Sequence, residues 1–139
     1  ITLPKDLRLD VYCVNGNIDI DSIENNINLT LTNGNVILNE VSGSVESYAT
    51  NGNIVCRMEL PESGVCRLKT VNGNITLSVP ESTSAGFSAN ITNGNISISN
   101  LTLNNSQSTP HQVTGILSDG NGTIDLDVVN GSIMVNRKY

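Results

Sequence analysis

Two pairs of carboxylates are the residues of this sequence best spaced to share a cation. Asp19 and Asp21, like Asp125 and Asp127, stand two positions apart, so on a β-strand each pair projects from one face about 7 Å apart. Enzymes that cut acidic polysaccharides generally need clustered carboxylates for Ca²⁺ and a Lys or Arg as base. Ca²⁺ takes about six to eight oxygen ligands, more than one pair supplies. We therefore predict solvated, outward charges at both pairs and no metal site.

His111 is the only histidine, and it stands in a polar stretch beside Pro110. A zinc site would need further His or Cys ligands near it, and none has suitable spacing. A catalytic dyad would need an activated nucleophile held against the imidazole, and the local sequence suggests none. We predict a histidine in a surface loop.

Three cysteines, Cys13, Cys56 and Cys66, are too few for a disulfide framework and include no CxxC pair. All three fall on positions expected to point inward, where cysteine behaves as a small hydrophobic residue. Buried free thiols are the prediction, and a Cys56–Cys66 disulfide remains the alternative. The sequence thus offers no catalytic, cofactor-binding or metal-binding residues and implies no cofactor, while the ligand-binding residues stay unassigned.

The elements that must position these residues come from an internal repeat. The heptapeptide VNGNIDI at 14–20 returns in related form at 32–38, 50–56, 71–77 and 92–98, and more loosely at 129–135. The glycines of the first five copies are 18, 18, 21 and 21 residues apart. A weaker set of turn residues lies between them, so each unit of about 20 residues holds two strands and two corners.

Alternation with a period of two runs through each unit and indicates half-buried strands. A meander of hairpins would also use Asn-Gly turns, but it has no reason to repeat one corner sequence at alternate turns. A β-solenoid does, because its equivalent corners stack about 4.8 Å apart. The first asparagines of the corners should form one column and the second asparagines another. The first column is Asn15, Asn33, Asn51, Asn72 and Asn93, and the second is Asn17, Asn35, Asn53, Asn74 and Asn95.

Composition supports one all-β domain over residues 1–139 with a narrow, aliphatic interior, since aromatic residues make up only 3% of the chain. The net charge of −6 and the scattered Lys and Arg residues argue against nucleic acid and anionic membranes as partners. No apolar run approaches the roughly 20 residues of a membrane span. The sequence begins at Ile1 without Met, as expected of a mature form or a piece, so a removed signal peptide remains an open alternative.

Both ends of the repeat depart from the pattern. We predict an irregular loop or excursion at about 100–115, after which the repeat resumes with GILSDGNGTIDLDVVNGSIMV at 115–135. Because a solenoid must protect its open sheet edges, we expect capping coils at both ends, with Pro4 and charged residues serving at the first.

Several segments together resemble the DUF4097 family of adhesin-like proteins. These are LPKDLRLDVYCVNGNI at the start, the repeated T-x-NGNI, VSGSVES, and the closing GILSDGNGTIDLDVVNGSIMV, in the order that the family has them. The resemblance covers nearly the whole chain and implies a single-stranded β-helix, right-handed, of about 18–21 residues per coil. The family defines no catalytic residues, so none is carried over. Its frequent Asn-Gly-Asp is mostly Asn-Gly-Asn here, which argues against cation binding along that corner.

The preferred functional hypothesis is a non-enzymatic module of the cell surface or envelope that binds a surface ligand, either glycan or protein. The candidate binding regions are an extended sheet face and the loop at about 100–115, since insertions in repeat proteins tend to lie on the binding face. One alternative is an enzyme acting on polysaccharides, which rests on fold analogy alone. Another is a scaffold that assembles by continuing the coil stacking from chain to chain. Extracellular or envelope location follows from the same resemblance.

Overall fold

The computed structural model describes residues 9–21, 26–58, 64–79, 84–99, 104–109, 111–117 and 120–137. Those residues are almost entirely β-strand, and they contain no helix. The strands are β1 (Leu9–Asn15), β2 (Ile18–Asp21), β3 (Ile27–Asn33), β4 (Val36–Val41), β5 (Val45–Asn51), β6 (Ile54–Met58), β7 (Val65–Val79), β8 (Ala85–Ser99), β9 (Asn104–Thr109), β10 (Gln112–Leu117) and β11 (Gly122–Arg137). Pro4, expected to help cap the first coil, lies outside the described residues.

Parallel strands form two stacks that share their corners. The first stack runs β1, β3, β5, the first half of β7, the first half of β11 and the first half of β8, and it continues into β10 and β9. The second stack runs β2, β4, β6 and then the second halves of β7, β11 and β8. Each coil therefore contributes one strand to each stack. The predicted all-β solenoid with Asn-Gly-Asn corners is confirmed.

The core lies between the two stacks. Inward side chains at alternate positions are buried, as in Ile27, Leu29 and Leu31 of β3 and in Val36 and Leu38 of β4. Removal of such aliphatic side chains from water supplies the main driving force for pairing the stacks. The alternation found in the sequence thus identifies the inward face of these repeat strands correctly.

At each corner a glycine lets neighbouring coils approach closely. Gly34 has a φ of 144°, and a Cβ atom there would lie 1.6 Å from the carbonyl oxygen of Gly16. Only glycine fits, both because of that contact and because L-residues avoid this φ. The side-chain amides of the first asparagines also bond from coil to coil: Asn33 donates to Asn15 at 3.0 Å and Asn51 donates to Asn33 at 2.9 Å.

The second asparagines bond differently from the expected column of side-chain amides. The Oδ1 atom of Asn17 accepts the backbone N–H of Asn35 at 3.1 Å, and Asn35 accepts from Asn53 in the same way at 3.2 Å. Each of these side chains therefore satisfies a backbone donor of the next coil, a group that would otherwise remain unpaired at a turn.

The last repeat in the sequence occupies an unexpected position. β11 is not a capping coil, because it lies between β7 and β8 and pairs in parallel with both. Its corner residue Asn130 donates to Asn72 at 3.0 Å and accepts from Asn93 at 2.8 Å. In the first stack, β10 pairs with the outer edge of β8. β11 therefore pairs with the other edge of β8, the one that faces β7, and with β7 itself.

The segment at about 100–115, expected to be an irregular loop or excursion, forms a regular β-hairpin over its described residues. β10 pairs antiparallel with β8 on one side and with β9 on the other. Val113 and Leu117 of β10 are buried at the end of the core, which explains why the segment adopts a strand. β9 is exposed at all six positions and polar throughout, so it carries no hydrophobic alternation that would have predicted it. Pro110 and residues 100–103 lie outside the described part of the chain.

Candidate binding groove

The outward side chains of the first stack line a shallow groove that crosses the strands. Its first part, a depression of 340 Å³, lies over β3, β5, β7 and β11. Its second part, a depression of 520 Å³, lies over β11, β8, β10 and β9, and Asp125 borders both parts. Together they form what we call the outer groove, which spans seven strands, or about 30 Å at the usual strand spacing.

Strand alternation and the parallel register determine which side chains meet in the outer groove. One row follows the register Glu46, Arg67, Asp125 across β5, β7 and β11. The next row, two positions further along each strand, includes Tyr48 and Lys69, and Asp127 stands at the same position of β11. Positions two apart share a face, so both rows project into the groove.

Both cationic side chains of the groove, Arg67 and Lys69, have a partner on β5. Arg67 Nη1 is 3.5 Å from Glu46 Oε1, and both side chains are more than half exposed. Solvent screens such a pair, so it orients the two side chains more than it stabilises the fold. Lys69 Nζ lies 5.7 Å from the centre of the Tyr48 ring, within the range of a cation–π contact.

Two tyrosines stand at the β1 end of this face. Tyr12, Thr30 and Tyr48 are register neighbours on β1, β3 and β5, so the tyrosines are two strands apart, or about 10 Å. Tyr12 is 73% exposed and Tyr48 is 39% exposed. The shorter Thr30 between them leaves a notch with an aromatic side chain on either side.

The outer face of the second stack has a different character. Ile37 and Met134 are 43% and 47% exposed there, and Val55 and Thr76 occupy register positions between them. This row is mostly apolar where the outer groove is polar and charged. It therefore offers matched control positions on the same scaffold.

The two predicted carboxylate pairs are not brought together. Asp19 and Asp21 lie on β2 of the second stack, whereas Asp125 and Asp127 lie on β11 in the outer groove. Among the described residues, no group of three His, Cys, Asp or Glu side chains is placed to hold a metal ion. His111 is exposed at the turn between β9 and β10, and its carbonyl oxygen accepts the N–H of Ile91 at 2.8 Å.

All three cysteines are free. Cys56 and Cys66 are fully buried and face each other across the core, whereas Cys13 in β1 is half-buried. A hydrogen bond between the thiols of Cys56 and Cys66, with burial and the adjacent thiol charge adding to it, raises the pKa of Cys66 well above its usual range. The thiol of Cys66 therefore stays protonated and unreactive in the folded state.

Sequence reasoning missed the groove because it treated Asp125 and Asp127 as isolated charges. One signal could have found it: Tyr48, Lys69 and Asp127 each stand three residues before the first asparagine of a corner. Equal distance from a corner places side chains in one row across the stack. Which coil neighbours which could not be obtained in this way.

Parallel coils with stacked corners around one aliphatic core define a β-solenoid. The profile of one family, Toastrack DUF4097, matches residues 5–136, which is nearly all of the chain. The chain therefore belongs to the Toastrack DUF4097 family, as its repeats and closing segment predicted. No curated protein and no solved structure matches it. A search of the described residues for a helix able to cross a membrane found none.

Proposed function

We propose that this protein is a non-enzymatic binding module of the cell surface or envelope, and that the outer groove is its binding surface. The observation that carries the proposal is the pair of adjoining depressions that share Asp125 and together extend over seven strands. An enclosed pocket suits a small molecule. A shallow groove that crosses strand after strand suits a long, extended ligand.

The scaffold supports this role because it holds the groove side chains at fixed spacing. Glu46, Arg67 and Asp125 stand on adjacent strands, each hydrogen-bonded to its neighbours along its length. The backbone of the surface then loses little conformational entropy when a ligand binds, which favours affinity from many weak contacts.

Binding rather than catalysis is favoured by what faces the groove. Arg67 lies against Glu46, and Lys69 lies against Tyr48, so the cationic groups are engaged with surface partners. His111 is not among the residues that border either depression. An acid, a base and a nucleophile held in mutual contact would instead support a hydrolytic role.

A pair of matched substitutions tests the proposal. Thr30→Arg places a bulky side chain in the groove, and Thr76→Arg places the same side chain on the outer face of the second stack. Biolayer interferometry against immobilised polysaccharides and extracellular-matrix proteins should show binding that Thr30→Arg abolishes and Thr76→Arg preserves. Equal binding by both variants would refute the groove as the site, and release of new reducing ends from a polysaccharide would refute the non-enzymatic role.

Location can be tested separately in cells that express the protein. We expect externally added protease to degrade it in intact cells, because a surface module must reach its ligand. Protection of the protein until the cells are lysed would contradict a position on the cell surface.

A further inference from the structure

We infer that the ligand of the outer groove is an uncharged, extended polysaccharide that lies across the strands. This inference rests on the proposed function and adds to it the chemical class and orientation of the ligand. Three features carry it: the alternation of charges in the groove, the spacing of Tyr48 from Tyr12 on the adjoining strand β1, and the backbone pairing of the groove floor from β3 to β10.

The charges of the groove select against charged polymers. Three carboxylates, those of Glu46, Asp125 and Asp127, alternate with the cations of Arg67 and Lys69 in the register of the strands. A polyanion would meet these carboxylates and a chain of net charge −6. A polycation would compete with Arg67 for Glu46 and would bring further positive charges close to Arg67 and Lys69.

Hydroxyl groups of a ligand can bind to the alternating carboxylates and cations without separating them from one another. A hydroxyl both donates and accepts, so neighbouring hydroxyls of a sugar can donate to a carboxylate while accepting from Arg67 or Lys69. Hydrogen bonds to charged groups are the stronger kind, and strands β5, β7 and β11 together offer five such groups to the ligand. A neutral, hydroxyl-rich polymer is the ligand that this pattern fits.

The notch between Tyr12 and Tyr48 fits a pyranose ring. Each tyrosine is exposed, and aromatic rings bury a large apolar area against a partner. One face of a pyranose carries C–H groups and can lie on such a ring while its hydroxyls point to either side. The separation of about 10 Å between the tyrosines is close to the length of a disaccharide unit in an extended chain.

An extended peptide fits the groove less well. Peptides that bind to sheets add a strand at a free edge, where backbone donors and acceptors are unpaired. The groove floor between β3 and β8 consists of strands paired on both sides, so its backbone groups are already used. Recognition there must come from side chains alone, as it does for a polysaccharide.

The test measures binding of the full chain to soluble polymers by isothermal titration calorimetry. The probes are a neutral β-linked glucan, dextran and mannan, with hyaluronate as the polyanion and poly-lysine as the polycation. We expect one of the neutral polymers to bind with an affinity that changes little between about 0.01 M and about 1 M salt, because no net charge is neutralised. Oligosaccharides of increasing length should bind progressively better until they span the groove.

Substitutions locate the site. Tyr48→Ala should weaken binding by about tenfold or more, corresponding to the loss of one stacking contact. Tyr12→Ala should weaken it less, and Tyr48→Phe should retain it because the ring face remains. The control is Ile37→Ala on the second stack, whose side chain is exposed to a similar extent and should leave binding unchanged.

The outcomes separate the two proposals. Groove-dependent binding of hyaluronate, poly-lysine or a matrix protein in preference to every neutral polymer would overturn the inference and leave the binding function intact. Neutral-polymer binding that survives Tyr48→Ala and Thr30→Arg would overturn the site. Failure of every polymer and protein to bind through the groove would overturn both.

Discussion

The corner of β11 in the middle of the stack and the corner of β1 at its end carry the same motif under different constraints. Gly131 and Gly16 have similar φ values, 153° and 144°. A Cβ atom on Gly131 would lie 1.7 Å from the carbonyl oxygen of Gly73, whereas one on Gly16 would meet nothing closer than Cys13 Sγ at 3.6 Å. The end corner needs glycine for its backbone conformation, and the central corner needs it for close stacking as well.

The asparagines show the same difference. Asn130 donates to Asn72 and accepts from Asn93, so it bonds on both sides. Asn15 accepts from Asn33 on one side, and the described residues place no further coil on its other side. A motif that looks uniform along the sequence therefore differs in energetic importance according to its place in the stack.

Alanine substitutions at Gly131 and Gly16 should show the largest difference in stability between the two corners. We expect Gly131→Ala to lower the free energy of unfolding by about 4 kcal/mol or more, because backbone strain and a steric clash add. Gly16→Ala should cost about 1–2 kcal/mol from strain alone. Urea denaturation measures both, and equal losses would show that close stacking adds nothing at the central corner.

Alanine at the two asparagines tests the bonding half of the comparison. Asn130→Ala removes two hydrogen bonds and should cost about 2 kcal/mol, whereas Asn15→Ala removes one and should cost about 1 kcal/mol. Thermal and urea unfolding of both variants can be followed by circular dichroism. A loss at Asn15 as large as that at Asn130 would contradict the bonding pattern.

Two buried hydroxyl groups inside the stack, those of Thr70 and Ser47, allow a further comparison of a bonded group with an unbonded one. Thr70 donates to the carbonyl oxygen of Gly52 at 3.1 Å, whereas the hydroxyl of Ser47 is buried without a hydrogen-bond partner among the described residues. We expect Thr70→Val to destabilise by about 1 kcal/mol and Ser47→Ala to stabilise by up to about 1 kcal/mol. Destabilisation by Ser47→Ala in urea denaturation would indicate that its hydroxyl has a partner in solution.

The cysteines should give the smallest effect on stability, and that effect depends on pH. Cys13 at the end of the stack should react with iodoacetamide in the native protein, and Cys66 should react only on unfolding; mass spectrometry without reductant distinguishes them. The hydrogen bond to Cys56, together with burial, raises the pKa of Cys66 in the folded state, so at pH values above the pKa of the unfolded thiol the unfolded state binds fewer protons. Stability should therefore fall as the pH rises past the ordinary thiol range, and less so in Cys66→Ala. If Cys56 and Cys66 formed a native disulfide, both residues would remain unalkylated even after denaturation without reductant.

The sequence predicted each coil well because a coil is specified locally. Alternation identified Leu29 and Leu31 as inward-facing, and the repeated corner sequence identified where successive coils stack. The position of β11 could not be predicted, since Asn130-Gly131-Ser132 matches every other corner and so defines a coil without defining its neighbours. The groove was missed for the same reason, because Asp125 meets Arg67 only through that unpredicted neighbour. β9 was missed because its pairing depends on β10 and not on its own side chains.

Because β11 is inserted between β7 and β8, the middle of the fold depends on a strand from the end of the described sequence. In an ordinary solenoid a chain cut short loses a rung from one end and keeps the rest. Here β11, which begins at Gly122, is made after both strands that it joins, since β8 already ends at Ser99. A chain cut before Gly122 would therefore lack a strand from the middle of both stacks rather than from one end.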